Sequence, residues 1–295
     1  MKKSAMDSHI GEGSPGQMDY HLHTAVTIDG NMHELEACER ALALGIQEIA
    51  FTNHVMLNQP KYIISPASFI RHWENIQKCQ KRYPQLKIRL GIEMDYYPNR
   101  ESDINAKILF YEGLIGRPFD FILGSIHDIR GGFFSNQIAA VPFFKDREIV
   151  ATYHEYFELS AHAVRSGLFN VIAHPDLIKK YTYELTPLVS FEKYQDVVES
   201  FIDELVTCEV GLEINTKGLR RPVREPYPSD EFLELYISRS RALGKDPIIT
   251  LGSDAHEVTD VGFGILEIIE SLKKFPVNLV SFERRKRSPF IIRSV

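Results

Sequence analysis

The chain is poor in the residues that staple or anchor a fold from outside. It has 3 cysteines in 295 residues, and Cys38, Cys79 and Cys208 are far apart with no CxxC pair. That argues against a disulfide scaffold and for reduced thiols in a cytoplasmic setting. No apolar run approaches the roughly 20 residues that cross a bilayer, so no membrane partner is expected. The opening MKKSAMDSHIGEGSPGQ lacks the apolar core of a secretory signal. Residues 1–17 are expected to be a flexible lead-in. Basic residues form no long run and the net charge is −6, which argues against a nucleic acid as partner. What remains, 44% hydrophobic and 25% charged, is the composition of a globular protein able to bury a sizeable core.

Short apolar runs alternate with longer amphipathic ones. Strands are expected over residues 19–24, 48–53, 88–94, 119–127, 170–175, 211–216 and 247–254, with helices between them. In the helical segment 32–45, Leu35, Cys38 and Leu42 share a face and Gly45 ends the run. Residues 153–167 form a second such segment. Strands alternating with helices imply a parallel sheet with right-handed crossovers. No Pro/Gly/Ser linker divides the series, so residues 18–295 are expected to form one domain. An open, doubly wound sheet and a closed barrel both fit that pattern. The polar residues favour the barrel. His21 and His23, Asn53 and His54, Glu93 and Asp95, His127 and Asp128, His174 and Asp176, Glu213 and Asn215, and Asp254 and His256 close the seven strands in turn. A barrel brings all seven C-terminal ends around one centre.

Of 11 histidines, six (His21, His23, His54, His127, His174 and His256) fall at strand ends. His9, His33, His72, His154 and His162 lie in the lead-in or on helices, where a solvated or locally bonded imidazole is expected. The stretch HLHTAVTIDG (21–30) puts two imidazoles on one strand face, roughly 6–7 Å apart. They could share one ion at about 2.0–2.1 Å each, although an isolated pair could equally satisfy backbone carbonyls. Six imidazoles with the carboxylates of Asp29, Glu93 and Asp254 exceed what one tetrahedral zinc takes. They suit two or three divalent ions around a bridging carboxylate, for which Glu93 is placed, and such clusters serve phosphoryl transfer. Arg220 and Arg221 are candidates to clamp a phosphate, with Lys61 and Arg130 as further loop candidates. Residues 131–144 read as either a lid with exposed aromatics or a packed surface excursion. Asp176 and Glu213 are expected to orient ligating histidines.

HLHT (21–24), FTNH (51–54), GIE (91–93), GSIH (124–127), AHPD (173–176) and GSDAH (252–256) resemble, in order, the motifs of the PHP (polymerase and histidinol phosphatase) family over residues 19–260. LEINTKGLR (212–220) and the chain length look most like the monofunctional histidinol-phosphatase branch. The resemblance implies a distorted (β/α)7 TIM-like barrel and a trinuclear site. It also implies hydrolysis of a small phosphomonoester, L-histidinol phosphate, in histidine biosynthesis, with a metal-activated hydroxide attacking phosphorus. One ion would be held by His21, His23, Glu93 and Asp254, a second by Glu93, His127 and His174, and a third by Asp29, His54 and His256. Zinc, iron and manganese all suit these donors. Asp254 or His256 would pass a proton to the leaving alkoxide. A related phosphoesterase acting on nucleotide or sugar phosphates is the main alternative. A non-catalytic barrel would have lost ligands, and an amidohydrolase would end a strand in a bridging lysine; neither pattern is present.

Overall fold

Residues buried on both faces of a parallel sheet read as nearly continuous apolar runs, and those runs become the strands of a closed barrel. The computed structural model describes residues 17–275 and 277–290. The strands are β1 (Met18–Leu22), β2 (Glu48–Phe51), β3 (Lys87–Asp95), β4 (Phe121–Ser125), β5 (Val171–Ile172), β6 (Gly211–Asn215) and β7 (Ile249–Gly252). Each pairs in parallel with the next in chain order. The ring closes between β7 and β1, where Leu22 bridges Ala255. There the His23 N–H donates to the Ala255 carbonyl at 2.9 Å, and the Ala255 N–H to the His21 carbonyl at 3.2 Å. A two-residue strand, His54–Val55, pairs with β3 beside Glu93.

The helices lie outside: α1 (Glu34–Ala43), α2 (Pro66–Arg82), α3 (Glu101–Ile115), α4 (Gln137–Phe144), α5 (Ile149–Arg165), α6 (Lys179–Leu185), α7 (Gln195–Cys208), α8 (Asp230–Ala242) and α9 (Ile265–Leu272). Local chemistry sets their starts. The Ser65 hydroxyl accepts from the Ser68 N–H ahead of Pro66. Glu148 caps α5 by accepting from Val150 and Ala151, so that helix begins four residues before the expected position. The barrel interior is tight. A Cβ at Gly252 would lie 2.1 Å from Glu213 Oε1 and 2.5 Å from the His21 Cβ, so only glycine lets those two side chains meet there.

Past the barrel, β8 (Leu279–Glu283) runs parallel to β7 and folds back antiparallel as β9 (Lys286–Phe290). The lead-in expected over 1–17, with His9, lies outside the described residues except for Gln17. That residue is buried and its carbonyl accepts the Gln47 N–H at 2.9 Å. No helix among the described residues is long and apolar enough to cross a membrane. In the segment 131–144, Phe134, Phe143 and Phe144 are buried and only Phe133 is half-exposed. The exposed-aromatic lid is therefore corrected to a packed excursion that ends in α4.

Candidate metal centre

The barrel carries its polar residues past the last ladder hydrogen bonds, so their side chains converge over the C-terminal mouth. At the centre is the fully buried Glu93, which five imidazoles surround. Its Oε2 lies 2.7 Å from His54 Nδ1, 3.1 Å from His21 Nε2 and 3.4 Å from His23 Nε2. Its Oε1 lies 2.9 Å from His174 Nε2 and 3.6 Å from His127 Nε2. Asp254 Oδ1 stands 3.4 Å from both His23 Nε2 and His256 Nδ1. Asp29 Oδ2 is 3.5 Å from Nε2 of His54 and of His256.

Four triads each bring their donor atoms within 4.8 Å of one another: His21–His23–Asp254, His21–Glu93–His174, His54–Glu93–His127 and His23–His54–His256. The triads hold eight of the nine ligand candidates, and Asp29 joins them through His54 and His256. His54 stands between two groups, close to Glu93 and His127 as well as to Asp29 and His256.

Supporting carboxylates fix the rings. His21 Nδ1 is 2.7 Å from Glu213 Oε1, whose other oxygen accepts the His174 N–H at 2.9 Å. His127 Nδ1 is 2.7 Å from Asp95 Oδ1. Asp95 ends β3 on the same face as Glu93, an i, i+2 spacing that could have flagged it. Asp176 does not serve this way; it accepts from Lys179 and from the Ser229 N–H. His174 (φ 30°) and Asp254 (φ 51°) adopt left-handed backbone, at a cost of about 1–3 kcal/mol for a non-glycine residue.

Charge is unevenly shared. Burial pushes the Glu93 and Asp254 carboxyls up. The His54 and His21 imidazoles at Glu93, and Lys217 and His21 at Asp254, outweigh it and hold both well below the usual range. Burial pulls His54 down, yet Glu93 and Asp29 push it up to about 9. His23 is driven well below its ordinary value by burial and by the neighbouring His256 and His54. Burial likewise lowers His174 and His256. A metal ion needs deprotonated imidazole. Both ring nitrogens of His23, Nδ1 of His174 and Oδ1 of Asp29 are buried without a hydrogen-bond partner. Each such atom costs about 1–3 kcal/mol, a penalty that a cation would remove at the one ring nitrogen or carboxylate oxygen that ligates it. The donor set therefore fits divalent transition-metal ions.

A cavity of about 380 Å³ opens onto the site. Its cationic lining is Lys180, Lys217 and Arg221, and Tyr62, Phe133 and Tyr181 supply aromatic walls. Lys217 Nζ donates to Asp254 Oδ1 at 2.8 Å, and Lys180 Nζ to the Ser135 carbonyl at 2.6 Å. Neither lysine was singled out from the sequence, although Lys217 lies inside LEINTKGLR. Arg220, expected to clamp phosphate, is held elsewhere. It donates to the Ser253 carbonyl at 2.7 Å, pairs with Asp260 at 2.9 Å and lies over the Phe263 ring. Its neighbour Arg221 faces the cavity. Lys61 sits over the Tyr62 ring, and the exposed Arg130 pairs with Glu155; neither lines the cavity. A second cavity of about 430 Å³ lies at the other end of the barrel, between α7, α8 and the β8–β9 hairpin. Among the described residues no histidine lines it.

The PHP domain matches residues 19–217 of this chain. A probable histidinol-phosphatase of Deinococcus radiodurans is 29% identical over 281 residues, covering 93% of this chain and 99% of that one. A histidinol-phosphatase of Bacillus subtilis is 26% identical, covering 85% of this chain and 98% of its own length. Among solved structures, the Lactococcus lactis histidinol phosphate phosphatase, crystallised with Zn, L-histidinol and phosphate, superposes with a TM-score of 0.75 at 23% identity. It covers 92% of this chain and 98% of that one.

Proposed function

The chain belongs to the PHP family, and from that premise we propose that it is a metal-dependent phosphomonoesterase hydrolysing L-histidinol phosphate to L-histidinol and phosphate. The observation that carries this is the Glu93 carboxylate ringed by five imidazoles beside a cavity lined by three cations. Near full-length similarity to proteins described as histidinol-phosphatases supports the substrate.

His21, His23, Glu93 and Asp254 would hold one ion, Glu93, His127 and His174 a second, and Asp29, His54 and His256 a third, with His54 also within reach of the second. Such ions, when bound, supply acidified water and positive charge for the phosphoryl oxygens. Arg221, Lys180 and Lys217 bind the phosphate oxygens, so substrate recruitment is local and independent of the net charge of −6. Asp254, kept ionised by Lys217, can take a proton from the attacking water and return it to the leaving alkoxide. His256, 3.4 Å from Asp254 Oδ1, can relay it. Tyr62 and Tyr181 leave room for the flat imidazole end of the substrate. The serine hydroxyl at the centre, that of Ser125, is buried and donates to Glu93 Oε1 at 2.5 Å. Among the described residues no cysteine lines the cavity, so water is the nucleophile in this reading. The free thiols of Cys38, Cys79 and Cys208 accord with a cytoplasmic setting.

The test is phosphate release by metal-loaded protein from L-histidinol phosphate, a nucleoside monophosphate and a sugar phosphate. We expect kcat/KM for the first to exceed the others by at least about tenfold, roughly 1.4 kcal/mol in transition-state binding. Equal rates on all three would remove the substrate assignment. Full activity after chelation would remove the metal.

A further inference from the structure

His72, on α2 and far from the mouth in sequence, is not a solvated surface histidine. It is buried together with Glu34, Asn53 and Thr24. His72 Nδ1 lies 2.5 Å from Glu34 Oε1, and its Nε2 lies 3.1 Å from Asn53 Nδ2. Asn53 Oδ1 accepts from the Thr24 N–H at 2.7 Å and from the Thr24 hydroxyl at 3.3 Å.

The polarity of this chain is set by its geometry. The Thr24 N–H can only donate, so Asn53 Oδ1 faces it and Asn53 Nδ2 donates to His72 Nε2. Glu34, whose carboxyl the His72 hydrogen bond holds below the usual range against burial, accepts from Nδ1.

Two strand ends depend on that orientation. Asn53 precedes His54, and its side chain ties the end of β2 to Thr24 at the end of β1. Its backbone carbonyl, which accepts the Glu93 N–H at 3.1 Å, does not turn with the amide. The Thr24 carbonyl accepts from the Thr27 N–H at 3.1 Å, opening the turn that delivers Asp29. Gly30 closes the turn so tightly on Thr24 that a Cβ would come within 2.1 Å of its carbonyl oxygen.

We infer that Glu34 and His72 are positioning residues whose hydrogen-bond relay through Asn53 sets the Asp29–His54–His256 group for its ion. This rests on the proposed reading of that group as a metal site. Removing the relay should cost ion affinity at one group while the other two remain, by roughly 10–100-fold as for other groups that orient metal ligands.

The test uses the full chain, stripped with chelator, dialysed against manganese and counted for ions per chain, with thermal unfolding of the metal-free protein alongside. H72L should hold one ion fewer than the native chain. H72Q, whose amide can donate to Glu34 and accept from Asn53, should regain it. A native chain without ions removes the metal reading and this inference with it. Native occupancy in H72L, even with a lowered Tm, overturns the inference alone. Should H72L fail to fold, 15N-histidine NMR of the native chain decides. A slowly exchanging Nδ1–H on His72 is expected, and an Nε2–H tautomer overturns the relay.

Discussion

Side by side on one turn, Arg220 and Arg221 do opposite jobs. The 3-10 turn Thr216–Arg220 rotates the chain about 120° per residue, so one guanidinium packs under the Ser253–Asp254 peptide while the next faces the cavity. R221A should therefore reduce kcat/KM by about 10–100-fold with unchanged Tm. R220A should destabilise by about 1.5–3 kcal/mol, the range for charge-assisted hydrogen bonds, and lower kcat only through a loosened Asp254. A steady-state assay and a denaturant melt of each variant separate the two; a large KM effect in R220A would contradict this assignment. Lys180 offers a second check at this scale. Burial, with Lys217 and Arg221 nearby, pulls its pKa down to about 7. A lysine lowered in the fold is protonated in both states below that pH, so the full cost of burying the charge falls there. The cost is relieved as pH rises toward the unfolded value near 10.4. Phosphate binding follows the charge, so inhibition by phosphate should weaken from pH 7 to 9 in the native chain. In K180R, charged throughout, it should stay flat. The ligand candidates were legible in the sequence because imidazoles rarely close apolar runs. The cations were not, since 34 lysines and arginines are spread along the chain and only packing decides which of them face a cavity.

The seven barrel strands were legible as elements because burial on both faces leaves an unbroken apolar signature. The β8–β9 hairpin was not. Its second strand, Lys286–Phe290, is mostly charged or polar. Its turn puts Arg284 (φ 48°) and Arg285 (φ 64°) where a tight hairpin usually has Asn-Gly. Tertiary bonds pay for that choice: the Arg284 N–H donates to Asp120 Oδ1 at 3.0 Å and the Arg285 N–H to the Asp120 carbonyl at 2.9 Å. The hairpin is also tied to the barrel floor through one buried carboxylate. Glu48 accepts from the Tyr20 hydroxyl at 2.5 Å, the Ser281 hydroxyl at 2.7 Å and Arg89 Nε at 2.7 Å. E48A removes the acceptor shared by Arg89, which keeps Glu283, and by the Tyr20 and Ser281 hydroxyls, which keep each other. It should therefore destabilise by about 1.5–3 kcal/mol, the range for hydrogen bonds to a charged group. The network sits at the opposite end of the strands from the metal centre, so kcat/KM of the folded variant should stay native. Equilibrium denaturation with parallel assays checks both halves, and a loss of activity without a loss of stability would show that the floor communicates with the mouth.

For the molecule as a whole, the ion cluster couples stability to pH in opposite senses with and without metal. In the metal-free chain burial lowers His54, but Glu93 and Asp29 raise it to about 9, above its unfolded value near 6.5. A histidine raised in the fold contributes stability that is fully present below about 6.5 and is lost as pH climbs through about 9. Asp29, lowered by His54 against burial, contributes stability that is present above the unfolded carboxyl range near 3.9 and is lost as pH falls below it. His23, His174 and His256, lowered by burial, cost stability as pH falls below about 6.5. The metal-free chain should therefore melt highest near about pH 6.5–7 and lower at pH 9, where the losses at His54 and His21 outweigh the relief at Lys180. Ions reverse the alkaline limb, because binding displaces protons from the imidazoles and tightens as pH rises. Excess metal at 100 times its dissociation constant adds about 2.7 kcal/mol per site, which should outweigh the loss of one buried ion pair. Thermal melts from pH 5 to 9, on chelated and on manganese-loaded protein, should diverge steadily toward the alkaline end. Parallel curves would mean that the histidines at the barrel mouth hold one another's charge rather than a metal, and the closed ring of strand ends would then be a structural plug.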